Sequence, residues 1–155
     1  MKESITPHEY PNQIDCAWLA IDSAGNVGAF ITAGIGPVPA IALCEAYGQI
    51  LDVEDWIQAL PITSNVNSRR DAPGHKAFDK FAERGLYAFD WTDVHKVGDY
   101  VGSYERVAAP TRPLSVRELN GPLAVCGSQL VLNAVDFSNI TILDVAVLTL
   151  CISPL

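Results

Sequence analysis

The first sixty residues of this chain contain a single lysine, Lys2, and no arginine, against eight carboxylates. Glu3, Glu9, Asp15, Asp22, Glu45, Asp52, Glu54 and Asp55 leave that stretch at −7, most of the total of −8. Residues 61–99 carry six groups of each sign and cancel. Nucleic-acid affinity comes mainly from Lys and Arg neutralising phosphates, so such a field argues against DNA or RNA as a ligand. A basic protein partner fits the field, although plain solubility explains it more simply.

Other absences narrow the chemistry. There is no C-x-x-C pair, and Cys16, Cys44, Cys126 and Cys151 each sit among apolar neighbours, where a free thiol packs as a small hydrophobe. G-x-S-x-G, H-E-x-x-H and EF-hand patterns are missing. The glycines of Gly34-Ile35-Gly36-Pro37-Val38-Pro39 are not followed by Lys-Ser or Lys-Thr, so this is a stiff connector and not a phosphate loop. Val145–Ile152 is apolar but far shorter than the roughly 20 residues a spanning helix needs. The N-terminal residues lack the apolar segment of a signal peptide. The expectation is a reduced, cytoplasmic protein without a cofactor, a nucleic-acid ligand or a membrane partner.

What is present reads as one globular domain over 1–155, with residues 1–13 loosely ordered. The chain is 49% hydrophobic and 18% charged, enough apolar material for a core. Cys16–Asp22 and Val27–Ala33 are β-prone runs around Ser23-Ala24-Gly25-Asn26, which predicts a hairpin with Trp18 and Phe30 paired across it. Residues 40–60 are helix-prone and divide in two ways. Either one helix aligns Leu43, Tyr47, Ile50, Val53, Ile57 and Leu60, or Gly48 interrupts and Asp52 caps a shorter helix over 53–60. The second division is preferred, since a cap explains the clustered acids.

Residues 61–72 read as a polar loop, followed by a helix from about Gly74 to Arg84 with Gly85 as its stop. Leu86–Trp91 and Tyr100–Ala108 read as strands, and Ser115–Leu119 as a helical turn. Residues 122–135 fit a helix or a buried strand, and Val135–Ile142 and Val145–Ile152 lean towards β. Strands and helices mix without strict alternation. The expected fold is α+β, a mainly antiparallel sheet beginning with the hairpin and packed on two or three helices.

Two candidate sites emerge. Asp52, Glu54 and Asp55 lie beside Trp56, and an exposed Trp flanked by carboxylates suits a basic protein surface. The plainer reading makes Trp56 a core residue and the acids helix-start residues, whose position lowers carboxylate pKa values and disfavours acid–base catalysis. The second site is Asp90, Asp93 and His95, a possible small-ligand or metal position. Residues 90 and 95 fall on opposite strand faces and Lys96 repels a cation, so a capped turn is the simpler account. A third possibility is self-association through the apolar C-terminal run as an edge strand.

Four phrases carry a resemblance: Asp15-x-x-Trp18-x-Ala20-x-Asp22; Gly28-x-Phe30-x-Thr32-Ala33-Gly34-x-Gly36-Pro37-x-Pro39; Glu83-Arg84-Gly85-Leu86-x-x-Phe89-Asp90-Trp91-Thr92-Asp93-Val94-His95; and Tyr104-x-x-Val107-Ala108-x-Pro110-x-Arg112-Pro113-Leu114. Across residues 15–119 the chain resembles a group of uncharacterised bacterial proteins similar in style to immunity proteins of polymorphic toxin systems. The resemblance implies no catalytic residues. Together with the charge asymmetry, it makes a non-enzymatic, toxin-masking interaction protein the leading expectation.

Overall fold

A computed structural model describes residues 9–68, 75–92, 102–144 and 151–152. The strands are β1 (Ala17–Asp22), β2 (Val27–Ile31), β3 (Val38–Pro39), β4 (Val66–Ser68), β5 (Tyr87–Thr92), β6 (Ser103–Pro110), β7 (Val131–Leu132), β8 (Ile142–Asp144) and β9 (Cys151–Ile152). The helices are α1 (Val53–Gln58), α2 (His75–Ala82) and α3 (Gly121–Gln129).

β1 and β2 form the expected antiparallel hairpin, with Trp18 opposite Phe30. Gly25 supplies the positive φ, +85°, that the tight turn requires. The organiser of the turn, however, is Asp22. Only 2% exposed, its carboxylate accepts the backbone N–H groups of Ala24 (2.9 Å), Asn26 (2.8 Å) and Phe137 (2.8 Å). Burying a carboxylate is tolerable when donors replace the lost water. The hairpin is thereby tied to a segment 115 residues away.

The hairpin continues into a mixed seven-stranded sheet ordered β4-β6-β5-β2-β1-β7, with β8 also on β6. Antiparallel pairs predominate; β1–β7 and β2–β5 are parallel. The class is α+β, as expected. The three helices contact one another and the strands β1, β4, β5 and β6, and Gly127 of α3 lies against Ile21. Trp18, on the other face of β1, belongs to an aromatic stack. Phe30 lies between Trp18 and Phe89, with ring centroids 4.2 and 4.6 Å apart. Tyr104 meets Trp18 and Phe30 edge-on, an arrangement favoured by ring quadrupoles. Phe137 closes over Gly28, where a Cβ would stand 2.7 Å from its ring.

Two tyrosine hydroxyls hold adjacent residues of β1. Tyr104 donates to the Pro37 carbonyl (2.8 Å) and accepts from Trp18 Nε1 (3.1 Å). Tyr47 donates to the Leu19 carbonyl (2.7 Å) and accepts from the Leu19 N–H (2.6 Å). β7 pairs with β1 only at Ile21 and Asp22. At Leu19 a single phenol therefore takes the place of a neighbouring strand.

Several sequence expectations are corrected. The polar loop over 61–72 contains β4, whose pairing with Ala108–Pro110 is a long-range event without a local signal. Residues 122–135 hold both alternatives in succession, α3 and then the two-residue β7. Val135–Ile142 forms turns and not a strand until residue 142. There the Asp136 carboxylate captures the Ser138 N–H and hydroxyl and the Asn139 side chain, competing with strand pairing. The alternation expected along β6 is broken by an irregularity opposite Ala88/Phe89, leaving Val107 and Ala108 both buried. Of the C-terminal run, only residues 151–152 are described, and they pair within the chain on β3. α2 ends at Ala82, with Gly85 donating to its carbonyl at 2.9 Å.

Replacing Tyr47 by Phe leaves two buried backbone groups of Leu19 without their partner. At about 1–3 kcal/mol for each unsatisfied group, urea titration is expected to show a loss of about 2–5 kcal/mol with an unchanged slope. A loss under about 0.5 kcal/mol would show that the hydroxyl does not complete the strand.

Candidate functional site: an acidic surface at the start of the sheet

The segment from Tyr47 to Gln58 is fixed at both ends. Tyr47 pins its beginning to β1, and the Arg84 guanidinium holds its end through the carbonyls of Gln58 (3.2 Å) and Leu60 (3.0 Å). Between them a 3-10 turn over Ile50–Asp52 leads directly into α1. Val53 and Ile57, four residues apart, point into the core, which leaves Asp52 and Asp55 exposed and Glu54 half-buried.

Asp52 occupies the position before the first helical residue but makes no side-chain cap. The preceding turn places it at φ −98°, ψ −7°, a helical conformation. A capping side chain normally works from an extended backbone, from which it reaches back to the helix N–H groups. The expected capping role therefore falls away for Asp52. Trp56 is half-buried, packed against the core and over Gly48. It is neither a fully buried core residue nor an exposed anchor.

Glu54 also departs from expectation. The position at a helix start was expected to lower its pKa, yet it is raised above 4.5. Burial is the main cause, followed by the charges of Asp15 and Asp55, with Lys80 partly offsetting them. A short helix has a weak end field, and desolvation outweighs it here. Gln58 Nε2 donates to the Glu54 carboxylate at 3.3 Å.

Asp15, which entered the sequence reading only as one of the eight acids, thus belongs to the same surface. It lies immediately before β1, and its carboxylate accepts the Ala33 N–H at 2.9 Å. Beside it, Tyr10 and Gln13 are tied down. They belong to the stretch 1–13 that the sequence suggested to be loosely ordered, of which residues 1–8 lie outside the described residues. Tyr10 donates its hydroxyl to the Gly36 carbonyl at 2.5 Å, and the Gln13 N–H donates to Gly34 at 2.7 Å. A groove of about 360 Å³ lies between residues 9–14 and 49–51. Ile14 and Leu51 both border it, 50% and 47% exposed. Neither aliphatic residue carried a signal in sequence, since their meeting depends on tertiary placement.

Neither thiol near these elements is primed for nucleophilic work. Burial raises Cys16, its hydrogen bond to Thr32 opposes that, and Asp15 and Glu54 raise it further. Burial pushes Cys126 up to about 11, and its thiol donates to the Tyr47 carbonyl at 3.2 Å. A neutral thiol is a poor nucleophile and a poor metal ligand.

In the alternative site, Asp90 lies on β5, half-buried and opposite Glu105 of β6. Asp93 and His95 fall outside the described residues. Among the described residues, no group of three or more His, Cys, Asp or Glu is placed to hold a metal ion. No described helix is long and apolar enough to cross a membrane. No family model, curated protein or solved structure matches this chain.

The raised pKa of Glu54 has a defined consequence for stability. The folded state holds this proton more tightly than the unfolded state, so the favourable contribution is present below pH 4.5. It is lost as pH rises through the folded value. Glu54→Gln removes the charge penalty, so the variant is expected to melt higher than the parent at pH 7. The advantage should shrink on acidification, and thermal melts across pH check this. A variant melting lower at pH 7 by the same margin at every pH would contradict the assigned cause.

Proposed function

We propose that this chain is a non-enzymatic interaction protein that masks a basic bacterial toxin with the surface formed by Asp15, Asp52, Glu54 and Asp55. The reading is carried by one observation. Asp15 and Asp55 act electrostatically on a half-buried Glu54, while Asp52, in the same turn, is not spent on capping. Keeping carboxylates together costs electrostatic energy, which a basic partner relieves on binding. The resemblance to immunity-type proteins points in the same direction, although Asp52–Trp56 lie outside the phrases that carry it. We place the protein in the cytoplasm, where Cys16, Cys44 and Cys126, all free, remain reduced.

In this reading the partner's cationic surface is attracted over several ångströms and then docks reversibly. Long-range attraction raises the association rate and is screened by salt. Trp56 contributes by holding the acidic turn in place rather than by inserting into the partner.

The test pairs this chain with the product of a toxin-like reading frame encoded beside it. Co-expression is expected to protect cells from that product, and Asp52→Lys, Glu54→Lys, Asp55→Lys in one chain to remove the protection. With purified proteins at roughly 0.05 M salt, the triple reversal should slow association at least about tenfold. Association at the parent rate, in a variant that retains its melting temperature, would show that another surface is used.

A further inference from the structure

We propose that the groove between residues 9–14 and 49–51 seats a basic, amphipathic segment of the partner. An aliphatic side chain would enter between Ile14 and Leu51, with Lys or Arg on either side reaching the carboxylates. The inference rests on the reading of the acidic surface as a partner surface, and it specifies what that partner must present.

Charge and apolar surface coincide at this place. Ile14 and Leu51 both line the groove, and each is about half exposed. Each is followed directly in sequence by a carboxylate, Asp15 and Asp52, and Glu9 lines the groove itself. The groove thus combines two half-exposed aliphatics with the Glu9 carboxylate and continues in sequence into Asp15 and Asp52, the complement of an aliphatic residue flanked by cations. A purely cationic surface would leave Ile14 and Leu51 in water, and a purely apolar one would bury carboxylates without counter-charges. Neither matches both features.

The same complementarity excludes other occupants. A lipid or nucleic-acid phosphate would meet Glu9 in the groove as a like charge, in a chain whose first sixty residues carry −7. A second copy of this chain docking groove to groove would oppose the same negative charge. The walls are also held in place. Tyr10 is anchored on Gly36, Asp15 on Ala33, and the facing wall is pinned through Tyr47. A preformed groove avoids part of the ordering cost of binding.

The probe is a labelled peptide of interspersed Lys and Leu, compared with a Gln/Leu version and with oligolysine. Binding is followed by fluorescence anisotropy and by amide shifts in NMR spectra. The Lys/Leu peptide is expected to shift the resonances of residues 10–14 and 49–51. Ile14→Ser and Leu51→Ser should each weaken it roughly tenfold while leaving oligolysine affinity unchanged. Both side chains are half exposed, and circular dichroism melts verify that the serine variants fold.

Serine variants binding the Lys/Leu peptide as the parent does would overturn the groove assignment. If charge reversal at Asp52, Glu54 and Asp55 still abolished binding, the acidic-surface reading would survive that loss. Indifference to both sets of changes would remove the two together. Equal affinity for the Gln/Leu peptide would refute the requirement for cations. Binding seen only after deletion of residues 2–8 would assign the groove to the chain's own N-terminal segment and overturn the proposal.

Discussion

The backbone of Leu19 needs a partner on the side of β1 that no strand among the described residues covers at that position. β2 occupies one edge of β1 along its length, whereas β7 reaches only Ile21 and Asp22 on the other. Leu19 is fully buried, so water cannot serve its outward N–H and carbonyl. The hydroxyl of Tyr47 meets both, at 2.6 and 2.7 Å. One phenol thereby ends the sheet locally and fixes where the chain after it must run. On the preceding residue, Trp18, the hydroxyl of Tyr104 links the indole to the Pro37 carbonyl. Two adjacent positions of one strand thus locate the helical layer and the 34–39 connector.

The acidic surface inherits its geometry from that arrangement. Asp15 is placed by the start of β1 and its bond to Ala33; Asp52, Glu54 and Asp55 are placed by Tyr47 and Arg84 at the two ends of their segment. Glu54, in that segment, has its pKa raised mainly by burial and further by Asp15 and Asp55. The backbone that carries Asp52, Glu54 and Asp55 is thus set by bonds at both ends of the segment.

Local chemistry made some of this legible and tertiary chemistry hid the rest. The hairpin could be read because strand propensity, turn residues and the Trp18–Phe30 pair all act within fifteen residues. The division at Gly48 was legible for the same reason. Asp22 read only as the end of a strand, and its bond to Phe137 depends on a contact across most of the chain. Tyr47 looked like one more apolar position on a helical face, since periodicity registers the ring and is blind to the hydroxyl. Capping by Asp52 was a sound inference from residue type and failed on backbone conformation, which the preceding turn determines. The groove could not be anticipated at all. Ile14 and Leu51 lie far apart in sequence, and each alone is an ordinary surface aliphatic. The residues that carry the resemblance, among them Trp18, Asp22, Phe30, Phe89 and Tyr104, are largely those that build the frame. Their message concerns the fold more than the binding surface.

The central claim is that the Tyr47 hydroxyl completes β1 at Leu19 and so fixes the segment that carries the acids. Native-state hydrogen exchange at the Leu19 amide tests it most directly, because that N–H has the phenol as its partner. The account predicts exchange only through global unfolding, with an opening free energy equal to the stability of the whole domain and the same dependence on denaturant. Exchange far faster than global unfolding allows, and insensitive to denaturant, would contradict it.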